Sequence, residues 1–528
     1  MATFVAPVES QAASERATRK QDRNFALRLV SGLTIFALAV HGYHPSAEDG
    51  GLYLAGVKRL LDPALYPHQT AFVLEPARFS LFATAVAALA RISHLPLPWV
   101  MLALHLVSIW TTLFAAWLLA SRISISPTAR AGAVVLLSCW LALPVAGTAL
   151  LLMDPYVTAR SFSTPCMVFA LLGALDFTEP NFTAQTRRRS FWLCAGSTTA
   201  AATIHPLMAA YSFAATLGLL CVRQKRRASR ILGTTALAVA ALILAVCLQI
   251  FASPESADVA RIALTRTYWF PALWRWYELV GLAAPLAILA AFARSAAPKP
   301  SWRNPSERDL AQTALVVGAT AVTVALLFAR AGSSTHLVAR LQPLRAFQVV
   351  YLIMVLMLGA KLGESLLRRA AWRWATTTLL LGSVMFAAAR SAYPHSSHLE
   401  LPWIATPNPW AQAFLWIRDH TPKDALFALD ADYINAPGED AQCFRAIAER
   451  SALPDYSKDG GEASIAPELT PAWKQGQAAQ QRLGQETDAE RLAALQPLAV
   501  SWLVLQSRAS TGFDCPYENT TVKVCRLR

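Results

Sequence analysis

The stretch FALRLVSGLTIFALAVHGYHPSAEDGGLYLAGVKRLL, residues 25–61, joins three patterns in order. An apolar run from Phe25 to Val40 follows a polar leader containing Arg16, Arg19, Lys20 and Arg23. Its long basic flank and weak cleavage site favour an uncleaved signal anchor over a removable leader. Two histidines, His41 and His44, and an adjacent acid pair, Glu48 and Asp49, come directly after the run. Carboxylates in that position are costly unless they face water, a cation or a substrate. Tyr53, Val57, Leu60 and Leu61 then recur at helical spacing, which predicts an amphipathic helix lying on a membrane and holding the acids over a bundle.

The alternation of apolar run and charged loop continues through most of the 528 residues, 55% of them hydrophobic and 15% charged. That is the composition of helices solvated by lipid. The net charge of +14 does not point to nucleic acid, because the basic residues punctuate apolar segments instead of forming one face. They gather at Arg16/Arg19/Lys20/Arg23, Arg122/Arg130, Arg187/Arg188/Arg189, Arg223/Lys225/Arg226/Arg227/Arg230, Arg294/Lys299/Arg303/Arg308 and Lys361/Arg368/Arg369/Arg373. With all six clusters cytoplasmic, about eleven crossings are expected, near residues 25–42, 97–120, 131–152, 163–178, 191–205, 207–222, 231–252, 277–294, 310–329, 346–366 and 374–391. The odd count puts the N-terminus inside and the C-terminus outside. The short apolar segment 79–92 then reads as re-entrant or interfacial, and residues 191–222 as two helices broken at His205-Pro206.

Beyond Arg390 the chain changes character, with Pro394, Pro402, Pro407 and Pro409 marking a linker. Trp410 to Asp419 reads as a helix, and Ala425–Leu429, Ser501–Leu505 and Thr521–Leu527 as strands. The expected chain is mainly α: a cytoplasmic tail (1–24), a transmembrane domain (25–391) and a small external α/β domain (392–528). No internal repeat of the kind many transporters carry is visible. Cys139, Cys166, Cys194, Cys221 and Cys247 lie in or beside apolar segments, and no CxxC or CxxH spacing offers zinc a site. Cys515 and Cys525 are placed to bridge in an oxidising compartment, leaving Cys443 unpaired.

In this topology the unusual polar residues collect outside. Asp154 and Arg160 stand in MDPYVTARSFSTP (153–165), His205 tops the broken pair, and His336, Arg340 and Arg345 stand in THLVARLQPLRAFQ (335–348). Each has a plainer reading. The acid pair is a solvated turn, Asp154 caps the helix carrying Arg160, and His205 bonds a helix end. Arg340 and Arg345 reach for lipid headgroups, and His41 and His44 are interfacial. Tyr268, Trp269, Trp274 and Trp276, near Arg266, read as an aromatic belt or as a surface for stacking on sugar. Phe444, Arg445, Lys458 and Asp459 read as surface and turn chemistry, or as groups closing over the membrane site.

The acid pair in the first outer loop, the horizontal helices after it, the second-loop Asp154, the external basic motif before a late helix and the soluble C-terminal domain together resemble the GT-C glycosyltransferases. These polytopic enzymes take sugar from a polyprenyl-phosphate carrier. The resemblance implies a bacterial inner-membrane enzyme with a periplasmic site, a lipid-linked donor and an acceptor glycan, lipid or protein. It implies Asp49 or Glu48 as base with Asp154 beside them, and Arg160, Arg340, Arg345, His336 and His205 around the phosphate. Neither a DxD-type second-loop motif nor a WWDYG-like motif is present, which argues against transfer to Asn sequons and leaves a divalent cation, Mg or Mn, open. The alternative is a transporter or lipid flippase whose pathway uses the same external charges.

Overall fold

A computed structural model describes residues 8–294 and 305–527, with side chains from residue 20 onward. Lys299 and Arg303, and the side chains of Arg16 and Arg19, lie outside the described residues, as does part of the 1–24 tail. From Val8 that tail forms the front of the first helix, Val8–His41.

The protein is mainly helical, with a small C-terminal sheet. Six helices are long and apolar enough to cross a membrane: Lys20–His41, Leu97–Ile123, Arg227–Phe251, Trp276–Arg294, Pro305–Phe328 and Leu337–Leu367. The expectation was eleven; six is even, so the count no longer puts the termini on opposite sides by itself, and the five segments that fall short do so for two reasons. A span needs about 20 predominantly apolar residues, whereas Pro127–Cys139 is 13 residues long in all and Pro206–Val222 is 17. The others are diluted by polar groups. Ala159–Phe177 opens on Arg160, Ser161, Ser163 and Thr164; Ala184–Ile204 spends its first turns on Arg187 to Arg189; Ala371–Ala392 carries Arg373, Thr376 to Thr378 and Arg390.

Segment 79–92 belongs to a pair of helical pieces, Thr70–Ala77 and Phe82–Ser93, bent by 94°. Phe82 and Val86 of the second piece pack on Leu54 and Val57 of the Glu48–Leu61 helix, the apolar face read from the 53–61 spacing. The 184–222 pair breaks at His205, where Pro206 cannot continue the first helix. Helix Leu337–Leu367 lies at the centre of the bundle, pressed against Pro127–Cys139 through small residues. A Cβ added at Gly132 would lie 2.3 Å from the Gly359 carbonyl oxygen, so only glycine allows the approach.

In the C-terminal domain five short strands, β1 (Leu426–Ala428), β2 (Ser451–Ala452), β3 (Trp502–Gln506), β4 (Tyr517–Glu518) and β5 (Val522–Arg526), form one sheet in the order β2-β1-β3-β5-β4. β1 runs parallel to β2 and β3, and β5 is antiparallel to β3 and β4. Side chains alternate across it. Phe427, Trp502, Val504, Val522 and Val524 meet the Pro409–His420 helix on one face, while Leu426, Leu503, Leu505 and Cys525 fill the other. Cys515 and Cys525 form a disulfide, and Cys443 is buried and unpaired.

Candidate functional site

The loop after the first helix is fixed by backbone bonds to later parts of the chain. The N–H of Tyr43 donates to His398 O at 3.0 Å, that of His44 to Pro155 O at 2.8 Å, and that of Glu48 to Ala441 O at 2.8 Å. Glu48 takes a left-handed backbone (φ 51°), uncommon for a residue with a Cβ and held here by its surroundings. The two glycines after the acids let the helix wedge between other elements. A Cβ at Gly50 would stand 2.8 Å from Tyr156 Cβ, and one at Gly51 would stand 2.2 Å from Cys443 Cβ. The acids therefore emerge where the 140–158 loop and the C-terminal domain meet.

Five charged side chains join there. Arg160 Nη2 donates to Asp49 Oδ2 at 2.9 Å and to Asp154 Oδ2 at 3.0 Å. Lys458 Nζ donates to Asp49 Oδ1 at 3.1 Å and also to Glu48. Asp49 is thus clamped between two cations from different parts of the chain. Burial pushes its carboxyl up, but Lys458 and Arg160 more than offset this and hold it well below the usual carboxylate range. Burial pulls the Lys458 ammonium down, yet Asp49 and Glu48 hold it above the usual lysine range.

A cavity of about 1020 Å³ opens over this cluster. It is lined by Glu48, Asp49, Asp154, Arg160, His205, Arg340 and Arg345, so seven of the eight residues singled out from sequence share one chamber. Arg340 and Arg345 flank Gln342, whose left-handed backbone (φ 50°) ends one helical turn and starts the next. Arg340 Nη2 stands 3.0 Å from Glu255 Oε1, out of line for a hydrogen bond. The Arg345 side chain makes no hydrogen bond or ion pair among the described residues, and its buried Nε is unpartnered. The eighth residue, His336, is absent from the cavity wall. It is buried, with Nδ1 2.8 Å from Glu255 Oε2 and its ring edge-on to Phe270, and so steadies the Glu255 carboxylate beside Arg340.

Several local readings change. Asp154 does not cap the Ala159–Phe177 helix; Ser161 Oγ accepts from the Thr158 N–H at its start, and Asp154 holds the Arg160 guanidinium instead. His205 caps its own helix through Met208 N while also facing the cavity. His41 and His44 are buried: His41 Nε2 lies 2.9 Å from Ser138 O, and His44 stacks on Tyr393. Trp269 and Trp274 are buried and Trp276 is exposed, while Tyr268 lines the cavity. The surface reading of the C-terminal charges fails, because Arg445 and Asp459 form a buried pair and Lys458 reaches the acids. Glu75, Glu462, Arg266 and Tyr393 also line the cavity and were not identified from sequence as site residues; only the burial forced by the domain contact marks them.

The acids do not suit a divalent cation as arranged, since Glu48 and Asp49 already hold Lys458 and Asp154 holds Arg160. Among the described residues no group of three or more His, Cys, Asp or Glu side chains converges as metal ligands would. An uncompensated arginine facing a chamber with several carboxylates is suited to an anionic ligand that also carries hydroxyls. No family model matches the chain, and no curated protein matches it.

Proposed function

We propose that the protein is a GT-C-like membrane glycosyltransferase that moves a sugar from a polyprenyl-phosphate carrier to an acceptor on the periplasmic face of a bacterial inner membrane. The observation that carries this reading is the single cavity at the helix ends, where carboxylates and the unpaired Arg345 project together. The orientation is supported by the opposite helix ends. Arg122 pairs with Asp176 and Arg223 with Glu179, each at the end of a helix whose other end approaches the cavity. With those basic ends in the cytoplasm, the cavity and the Cys515–Cys525 disulfide lie outside.

In the reaction, an acceptor hydroxyl attacks the sugar C1, and its proton passes to a carboxylate of the cavity. The C1–O bond to phosphate breaks, and its electron pair leaves with the carrier phosphate. Arg345, with Arg340 beside it, takes the phosphate oxygens, for which a planar fork is suited. Arg160 is already neutralised by Asp49 and Asp154 and acts as their organiser. Glu48 and Asp49 are the outer-loop acids that sequence puts forward as base.

The test is transfer of radiolabel from polyprenyl-phosphate sugars to a lipid extract by purified protein. Arg345→Ala should weaken donor binding by about 10-fold or more, the value of a lost charged hydrogen bond, with Arg345→Lys restoring only part. Absence of transfer from every such donor by the wild type would refute the reading. Movement of intact carrier across the bilayer without transfer would make the protein a flippase instead.

A further inference from the structure

Resting on the transferase reading above, we propose that Glu462 of the C-terminal domain, rather than an outer-loop acid, accepts the proton of the acceptor hydroxyl. Glu462 stands on the Lys458–Ile465 helix, four residues after Lys458, so both side chains leave the same helix face. Both line the cavity. Lys458 is spent on Glu48 and Asp49, and the remaining acids are engaged as well: Asp154 with Arg160, and Glu75 within 3.4 Å of Arg78. Among the described residues Glu462 alone of the cavity's carboxylates has no hydrogen bond or ion pair at its side chain.

This difference decides which acid can act as a base. A carboxylate shared by an ammonium and a guanidinium binds a proton poorly, so Asp49 is a weak acceptor in this arrangement. Burial pushes Glu462 up, and Asp459, Glu75 and Asp49 push it further, well above the usual carboxylate range. Lys458 pulls the other way and does not prevail. Tyr53, at the cavity wall, lies within electrostatic reach of Glu462, Asp49, Arg160 and Arg345 alike, so the free carboxyl and the free guanidinium share one chamber.

The step balances simply. The acceptor O–H proton moves to a Glu462 carboxylate oxygen as the acceptor oxygen bonds to C1. The C1–O(phosphate) pair departs on the phosphate beside Arg345, and Glu462 later releases the proton to water. Glu48 and Asp49 keep Lys458 and Arg160 in place, which holds the C-terminal domain over the chamber.

The experiment compares full-length wild type with Glu462→Gln and Glu462→Asp in one detergent series, reading turnover from a radiolabelled polyprenyl-phosphate sugar, donor affinity and the pH–rate profile. Glu462→Gln should lower turnover on the order of 100-fold or more with donor affinity unchanged, and should lose the acid limb of the profile. Glu462→Asp should keep that limb at reduced turnover, which a merely structural role would not produce. Wild-type turnover and an intact acid limb in Glu462→Gln would overturn the assignment while leaving the transferase reading standing. A wild type that transfers nothing would overturn both.

Discussion

Removing Asp459 tests how the C-terminal domain carries its share of the cavity. One carboxylate oxygen accepts from Arg445 Nη1 at 2.6 Å, and the other accepts from the backbone N–H of Asp455 at 2.8 Å. Both side chains are buried, that of Asp459 completely. Asp459→Ala leaves the guanidinium buried without its counter-charge, a loss of about 3–5 kcal/mol for one half of such a pair. At roughly 3 °C per kcal/mol for a domain of this size, the unfolding midpoint should fall by about 10–15 °C. Cys443 supplies a local readout, being buried, unpaired and packed where Gly51 meets the domain. Detergent-purified protein is heated with an alkylating reagent, and the peptide bearing Cys443 is quantified by mass spectrometry. Arg445→Met with Asp459→Leu removes both charges together and should recover most of the loss. An unchanged midpoint in Asp459→Ala, or a double variant no better than the single, would refute the reasoning.

Gly51→Ala places a Cβ 2.2 Å from Cys443 Cβ and 2.4 Å from Ser46 O. The two elements must separate, at a cost of about 1–3 kcal/mol, so Cys443 should alkylate at lower temperature than in wild type. Glu462 has a folded-state pKa above its unfolded value near 4.5, so its contribution to stability is full below that pH and is lost as pH rises through the folded value. Glu462→Gln should therefore flatten the decline of the midpoint as pH rises above the unfolded value; parallel curves for the two proteins would count against it.

Much of the C-terminal domain was legible because its strands are short apolar runs between turn residues. Ala425–Leu429, Ser501–Leu505 and Thr521–Leu527 each contain or overlap an observed strand. The Glu48–Leu61 helix and the break at His205 were equally plain, one from apolar spacing and the other from proline. The crossings were overcounted because loop charges alone do not measure helix length. Pro127–Cys139 stops where residues 140–158 turn back with few regular elements. The acids and arginines of the cavity were visible as costly charges near lipid, but their pairing was not. Nothing in the local sequence says that Asp49 meets a lysine 409 residues later, or that Asp154 serves a side chain instead of a helix end. Glu462 was invisible for the same reason, since an exposed-looking helix becomes a cavity wall only once the domain is docked.

The contact between Glu48 and Lys458 also sets an order of events in the making of the protein. The two residues are separated by 410 positions, which translation covers in roughly 20–80 s. For most of that interval the Glu48–Leu61 helix has Glu48 without its lysine, Asp49 with only Arg160, and Gly51 without its Cys443 contact. The chamber is finished only when the last part of the chain has emerged, folded and settled onto it. Nascent chains stalled before residue 458 should therefore present Glu48 to solvent while Asp49 is held by Arg160 alone.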